Sequence, residues 1–130
     1  MSENDVLQKL VEAAHERHGE DVTALDMTPF PLTVDVFLLV TSTNRVQSRA
    51  IADHMAQTAR ELGFSLHHKE GYREGSWILL DFVDFVLHIF LPERRRYYGL
   101  EMLWSDAAVK RFEDPAASDG GPAPGADDAR

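Results

Sequence analysis

The chain of 130 residues has the size of one ordinary domain, and its 44% apolar and 27% charged residues are normal for a soluble globular protein. It contains no cysteine, which excludes disulfides, thiolate metal sites and cysteine nucleophiles. The formal net charge is -9. That charge disfavours sequence-independent binding to nucleic acid and docking on anionic lipid, and it suits a basic protein partner.

Neither a membrane span nor a targeting segment is expected. The longest apolar runs, residues 36–40 and 85–91, are too short to cross a bilayer. The first residues, Met-Ser-Glu-Asn-Asp, lack the basic and apolar regions of a signal peptide and the arginine-rich, acid-poor character of a transit peptide. We therefore expect a cytoplasmic protein with no membrane partner.

The last 18 residues differ in composition from the rest of the chain. Residues 113–130 hold five alanines, three prolines, three glycines and no large apolar side chain, with five acidic residues and one basic. Such a segment cannot bury enough apolar surface to offset its ordering entropy. We predict a folded domain over residues 1–112 and a disordered acidic tail over 113–130.

The first third of the chain predicts a helix followed by two strands. Apolar residues recur at helical spacing from position 6 to position 14, and Gly19 suits the end of that helix. Residues 21–27 and 34–41 are typical of strands. Because the second strand is apolar on both faces, we expect it in the interior of the sheet.

The next predicted element is a helix that begins at Asn44. The Asn44 side chain can accept from the amide of Gln47, which can reach back in a capping box. Gly63 follows where a left-handed cap ends a helix, and residues 65–70 predict a third strand. The expected buried stripe of the helix is Val46, Ala50, Ile51, Met55, Ala59 and Leu62.

Two further strands predict a hairpin. Residues 77–82 and 85–91 are separated by only two residues, too few for a parallel crossover, so they must pair antiparallel. Val83 is a poor residue for a turn that needs positive φ. Residues 93–110 are typical of one or two short helices. The fold class is therefore α/β (α+β), a mixed sheet of about five strands with helices packed on it.

The two faces of the hairpin differ in chemistry. The set that contains Ile78 and Phe85 is wholly apolar and suits a core, because side chains alternate across a strand. The other set mixes Trp77, Asp81 and His88 with aliphatic residues, which favours a partly exposed contact surface. A core anchor for Trp77 and a structural role for His88 remain open alternatives.

An enzyme is the alternative function. Asp81 and Asp84 are candidate metal ligands with His88 as a third, in a degenerate nucleotidyltransferase-like site for nucleotide and metal. The odd step between the two aspartates places them on opposite faces of a strand, and no glycine-rich phosphate loop occurs. Adjacent His67 and His68 are expected to be surface residues. We therefore predict no catalytic site, no metal and no cofactor.

Residues 94–104 join three arginines to Tyr97, Tyr98 and Trp104. Arginine and tyrosine stack on RNA bases, but one short basic run in a protein this acidic makes that function the weaker one. Tyrosine, tryptophan and arginine also dominate protein–protein hot spots. This segment therefore predicts a protein partner and no direct sequence-specific contact with nucleic acid.

These segments resemble the ribosomal silencing factor family, also called Iojap-like proteins. The likeness runs in family order over roughly residues 6–105, and the part from Trp77 to Trp104 is the most specific. Val83 stands where the family often has glycine, and Ser48 where it usually has an aliphatic residue. The matching stretches are Asp35-Val-Phe-Leu-Leu-Val, Asn44 to Ile51, Ile51-Ala-Asp53, Glu70-Gly71, Trp77-Ile-Leu-Leu-Asp81-Phe, Asp84-Phe-Val-Leu-His88 and Arg95-Arg-Tyr-Tyr98-Gly-Leu100-Glu101-Met-Leu103-Trp104.

The resemblance implies a nucleotidyltransferase-like outline without the catalytic carboxylates. It implies a translation repressor, not an enzyme, that binds ribosomal protein L-fourteen on the large subunit. There it would block joining of the small subunit when nutrients are short. It also implies a homodimer in the free protein. Carried over by position, the implied partner-binding residues are Trp77, Asp81, His88, Arg95, Tyr98, Leu100, Glu101 and Trp104.

Overall fold

A six-stranded mixed sheet forms the centre of the computed structural model, which describes residues 3–114. The sheet order is β3-β4-β5-β2-β1-β6. Only β2 and β5 pair in parallel, and every other neighbouring pair is antiparallel. The elements are α1 (Glu3–Glu16), β1 (Glu20–Asp26), β2 (Val36–Thr41), α2 (Arg45–Glu61), β3 (His68–Glu70), β4 (Trp77–Asp81), β5 (Phe85–Phe90), α3 (Pro92–Tyr98), α4 (Leu100–Leu103) and β6 (Ala108–Phe112).

The predicted mixed sheet with packed helices is confirmed, but the sheet has one strand more than expected. The prediction of helix over residues 93–110 is wrong beyond α4, because residues 108–112 form β6. This strand pairs antiparallel with β1, with Val22 opposite Phe112. Its side chains are largely exposed, so it shows little apolar alternation, and the free edge of β1 determines its conformation. Of the predicted tail, residues 115–130 lie outside the described residues.

Helices α1 and α2 cover one face of the sheet and bury the main core there. The predicted interior position of β2 is confirmed, since it lies between β5 and β1. The predicted stripe of α2 is wrong at Val46 and Ala50, which are exposed, because the helix is rotated to bury a neighbouring face. The buried residues of α2 are Ser48, Ile51, Ala52, Met55 and Ala59.

The N-terminus of α2 is capped as predicted, with one difference. The Asn44 side chain accepts from the Gln47 amide at 2.8 Å. Gln47 reaches one residue further back than a capping box requires, and its Oε1 accepts from the Thr43 amide at 2.6 Å. Ser48 is buried, and its hydroxyl pairs with that of Ser42, so this buried polar group is satisfied.

The β4–β5 hairpin is confirmed, and its turn is strained. Val83 has φ of 75°, in the left-handed region that disfavours a β-branched residue. The Asp81 carboxylate accepts from the Val83 amide at 2.8 Å, and Phe82 donates to the carbonyl of Phe85 at 2.9 Å. These bonds hold the tight turn in a conformation that suits glycine better.

Candidate functional site

The sheet face away from α1 and α2 carries a second, smaller apolar cluster. Trp77 and Leu79 of β4 lie on this side, and the Ile78 set lies in the main core, as the alternation predicted. Among the described residues, those that cover this face come from α3, α4, the segment after α4 and the loop around Phe30. The buried members of the cluster are Leu25, Met27, Val34, Leu39, Val86, Phe90, Leu100 and Ala107, with Phe30, Phe37, Trp77, Leu79 and Trp104 packed against them.

The expected exposure of this face is wrong for β5. All six residues of the strand are buried, including His88 at 4% exposure. The reason is that β5 lies between β4 and β2 in the sheet and that aromatic side chains pack against it. The Phe37 ring lies edge-on to His88 at 4.9 Å, and Trp77 lies over Phe90 at 5.5 Å. His88 is therefore an internal residue.

His88 holds the indole of Trp77 in place. Trp77 Nε1 donates to His88 Nδ1 at 3.1 Å, so the proton of the neutral imidazole is on Nε2. The Nε2 atom is buried and has no hydrogen-bond partner within the described chain. Burial lowers the pKa of His88 to about 4, which keeps the ring neutral at physiological pH.

Arg95 is the anchor of the α3–α4 segment and is itself buried. Its guanidinium donates to the Asp21 carbonyl at 2.7 Å, to Thr41 Oγ1 at 2.9 Å and to Thr23 Oγ1 at 2.8 Å. It also binds both carboxylate oxygens of Glu101, at 3.2 and 3.0 Å. The hydrogen bonds from Arg95 hold the pKa of Glu101 below its usual value. This network ties α3 and α4 to β1 and β2.

Four large side chains of the same segment face outward. Tyr97, Tyr98, Met102 and Leu103, here called the α3–α4 patch, are 81%, 44%, 83% and 68% exposed. The Tyr98 ring lies 4.6 Å from that of Trp77, which connects the patch to the edge of the apolar cluster. Exposed apolar side chains grouped on one short segment are typical of interaction sites.

The structure separates the eight predicted partner-binding residues into four groups. His88, Arg95 and Leu100 are buried, and Tyr98 is exposed. Trp77, Glu101 and Trp104 are half-buried around the α3–α4 patch. Asp81 is apart from them, because Trp77 and Asp81 are at opposite ends of β4, about 13 Å apart at strand spacing.

The eight partner-binding residues implied by the sequence do not include Tyr97, Met102 and Leu103. A signal was present in Gly99, which takes the left-handed conformation at φ 54° and separates α3 from α4. The break turns Leu100 into the apolar cluster and leaves Met102 and Leu103 outward. A continuous helix, which the sequence also allowed, would have distributed these side chains differently.

The metal ligands that the enzyme alternative requires are not assembled among the described residues. Among residues 3–114, no three histidine, aspartate or glutamate side chains are arranged to hold a metal ion. Asp81 is committed to the hairpin turn through the Val83 amide. Asp84 lines a separate cavity that Asp81 does not reach.

Of the three arginines considered for RNA, Arg95 is buried. In the same part of the chain no helix is long and apolar enough to cross a membrane.

Fold and site together describe a mixed α/β protein that presents an exposed apolar segment on one side of its sheet. Residues 1–129 match the family described as "Ribosomal silencing factor during starvation", and the chain belongs to this family.

Named relatives and a solved structure agree with that assignment. The chain is 37% identical over 113 residues to the ribosomal silencing factor of Halalkalibacterium halodurans, covering 87% of this chain and 97% of that one. It is 36% identical over 109 residues to that of Bacillus subtilis, covering 84% and 92%. A crystal structure of a protein from Chromobacterium violaceum superposes with a TM-score of 0.77 at 28% identity, covering 81% and 88%. The resemblance and the fold class predicted from the sequence are confirmed.

Proposed function

We propose that this protein is a cytoplasmic translation repressor that binds ribosomal protein L-fourteen on the large ribosomal subunit. The bound domain occupies the place where the small subunit would join, and it does so without turnover. Family membership supports the ribosomal silencing role, and the α3–α4 patch supports contact with a protein.

One observation carries the assignment of the contact surface. The α3–α4 patch exposes two tyrosines, a methionine and a leucine on a segment fixed by the buried Arg95. A segment that is already held in place loses less backbone conformational entropy on binding. In binding hot spots, large contact side chains like these are surrounded by half-buried neighbours. Here the half-buried neighbours are Trp77 and Trp104.

Electrostatics favour a basic protein partner. The net charge of -9 assists encounter with a basic ribosomal protein and disfavours bare RNA. Steric occlusion needs only a body of domain size held at the subunit interface, so no catalytic residue is required.

The test is binding to isolated subunits in sucrose gradients and to purified L-fourteen by calorimetry. The double variant Tyr98→Ala/Met102→Ala is expected to weaken binding by at least about 30-fold, since hot-spot truncations cost about 2 kcal/mol or more. The control is Val46→Ala, because Val46 is 71% exposed on α2, on the opposite side of the sheet. Binding by the folded double variant at the strength of the control would refute this surface, and sedimentation with small subunits alone would refute the partner.

We also propose that the free protein forms a homodimer. Sedimentation equilibrium at micromolar concentration should give twice the monomer mass of 14.7 kDa. A monomer across the accessible concentration range would contradict the dimer and leave the ribosomal role intact.

A further inference from the structure

A cavity of about 570 Å³ lies between α1 and one end of the sheet. Its lining combines apolar side chains with three aspartates. It is on the helix-covered face, away from the α3–α4 patch. The lining residues are Val6, Leu7, Leu10, Asp26, Thr28, Asp35, Val36, Phe64, Asp84 and Phe85.

Strand register places the three aspartates of the cavity lining at neighbouring backbone positions. Asp26, at the end of β1, lies opposite Val36 of β2. Val36 lies opposite Phe85 in the parallel pair of β2 and β5. Asp35 and Asp84 directly precede Val36 and Phe85, and the Asp35 amide donates to the Asp84 carbonyl at 2.7 Å. The backbone therefore fixes the three aspartates relative to one another.

The three negative charges have no cationic partner within the described chain. Every ion pair there involves other residues. Asp26 accepts from the amide and hydroxyl of Thr28, at 3.0 and 2.6 Å, and these bonds orient one carboxylate oxygen. Lys110 lines the small adjoining cavity, and its ammonium lies over the Phe112 ring at 5.1 Å.

An apolar cavity of this size with a few convergent polar groups is typical of small-ligand sites, which run from about 300 to 1,000 Å³. We propose that this cavity binds a small organic cation, with an ammonium or guanidinium group at the aspartates and an apolar body against Leu7, Phe64 and Phe85. The negative charge disfavours anions. A neutral ligand would form no charge-assisted hydrogen bonds with the three aspartates. This proposal does not depend on the ribosomal function.

Matched probes test the proposal on the full chain. Phenylbutylamine and hexylamine are compared with phenylbutanol and hexanol by calorimetry and by amide chemical shifts. We expect both amines to bind at least tenfold more tightly than their alcohols, with shifts at Leu7, Phe64 and Phe85. The double variant Asp35→Asn/Asp84→Asn should weaken amine binding at least tenfold without changing that of the alcohols.

The control variant removes the same number of negative charges at two residues that do not line the cavity. Glu93→Gln/Asp106→Asn alters two exposed acidic residues and should leave amine binding unchanged. Absence of binding by both amines at millimolar concentration would overturn the proposal, as would equal affinity for the alcohols. Binding of a Lys-Phe-Lys peptide without binding of the free amines would assign the cavity to a protein segment and also overturn it. Thermal melts establish that each variant is folded.

Discussion

Replacing Arg95 by methionine removes the charge that fixes the α3–α4 segment and keeps most of the side-chain length. The substitution deletes five hydrogen bonds of the Arg95 side chain. Three go to β1 and β2, namely to Asp21, Thr23 and Thr41, and two go to Glu101. The arginine side chain is 7% exposed and that of Glu101 is 28% exposed. Without Arg95, Glu101 keeps a longer ion pair with Arg111 at 3.6 Å, and the Thr23 hydroxyl keeps its hydrogen bonds with Arg111 and the Asp21 carbonyl. The Thr41 hydroxyl loses its hydrogen bond from Arg95.

The cost follows from that burial. Breaking a buried ion pair by removing one partner costs about 3 to 5 kcal/mol. The partial hydration of Glu101 and its remaining ion pair with Arg111 place this case at the lower end. We expect the free energy of unfolding to fall by about 3 kcal/mol. That corresponds to a melting temperature lower by about 10 °C for a domain of this size, and it leaves the domain folded at room temperature.

The assay is urea unfolding with Arg96→Met as the matched control, because Arg96 is exposed on the same helix. Amide hydrogen exchange should also increase in α4, which loses its attachment to the sheet. A double-mutant cycle with Glu101→Gln should give a coupling energy of at least about 1 kcal/mol. An Arg95→Met variant as stable as Arg96→Met would refute the anchoring role of this residue.

Two further predictions concern His88 and Val83. Burial lowers the pKa of His88 in the folded protein to about 4, whereas the unfolded chain binds this proton near pH 6.5. The free energy of unfolding is therefore highest above about pH 6.5 and declines as the pH falls toward 4. Urea unfolding should show that the wild type loses about 2 kcal/mol more than His88→Phe between about pH 7 and about pH 4.5, and equal losses would contradict this. Val83→Gly should raise stability by about 1 kcal/mol in thermal melts by relieving the left-handed strain. Val83→Ala is the control, and an equal gain there would argue against strain.

Much of the fold could be predicted from local pattern. The two-residue separation of the strands around Val83 forces an antiparallel hairpin, and Asn44 marks the start of α2 through its side-chain chemistry. The pattern failed where an element depends on a distant neighbour. Residues 108–112 carry no strong strand signal, and they become β6 because β1 offers a free edge.

The candidate site shows the same division. The sequence by itself determined the family, the two-sided hairpin and a segment rich in arginine and aromatic residues. Only the tertiary structure decided which of those side chains face solvent. The partners of Arg95 include Thr41 and Thr23, which are 54 and 72 residues away in the chain. An arginine beside tyrosines therefore has the local pattern of a contact residue, but it acts as an internal anchor. The physical reason is that burial and pairing depend on which distant strands the sheet brings together, and one-dimensional spacing does not carry that information.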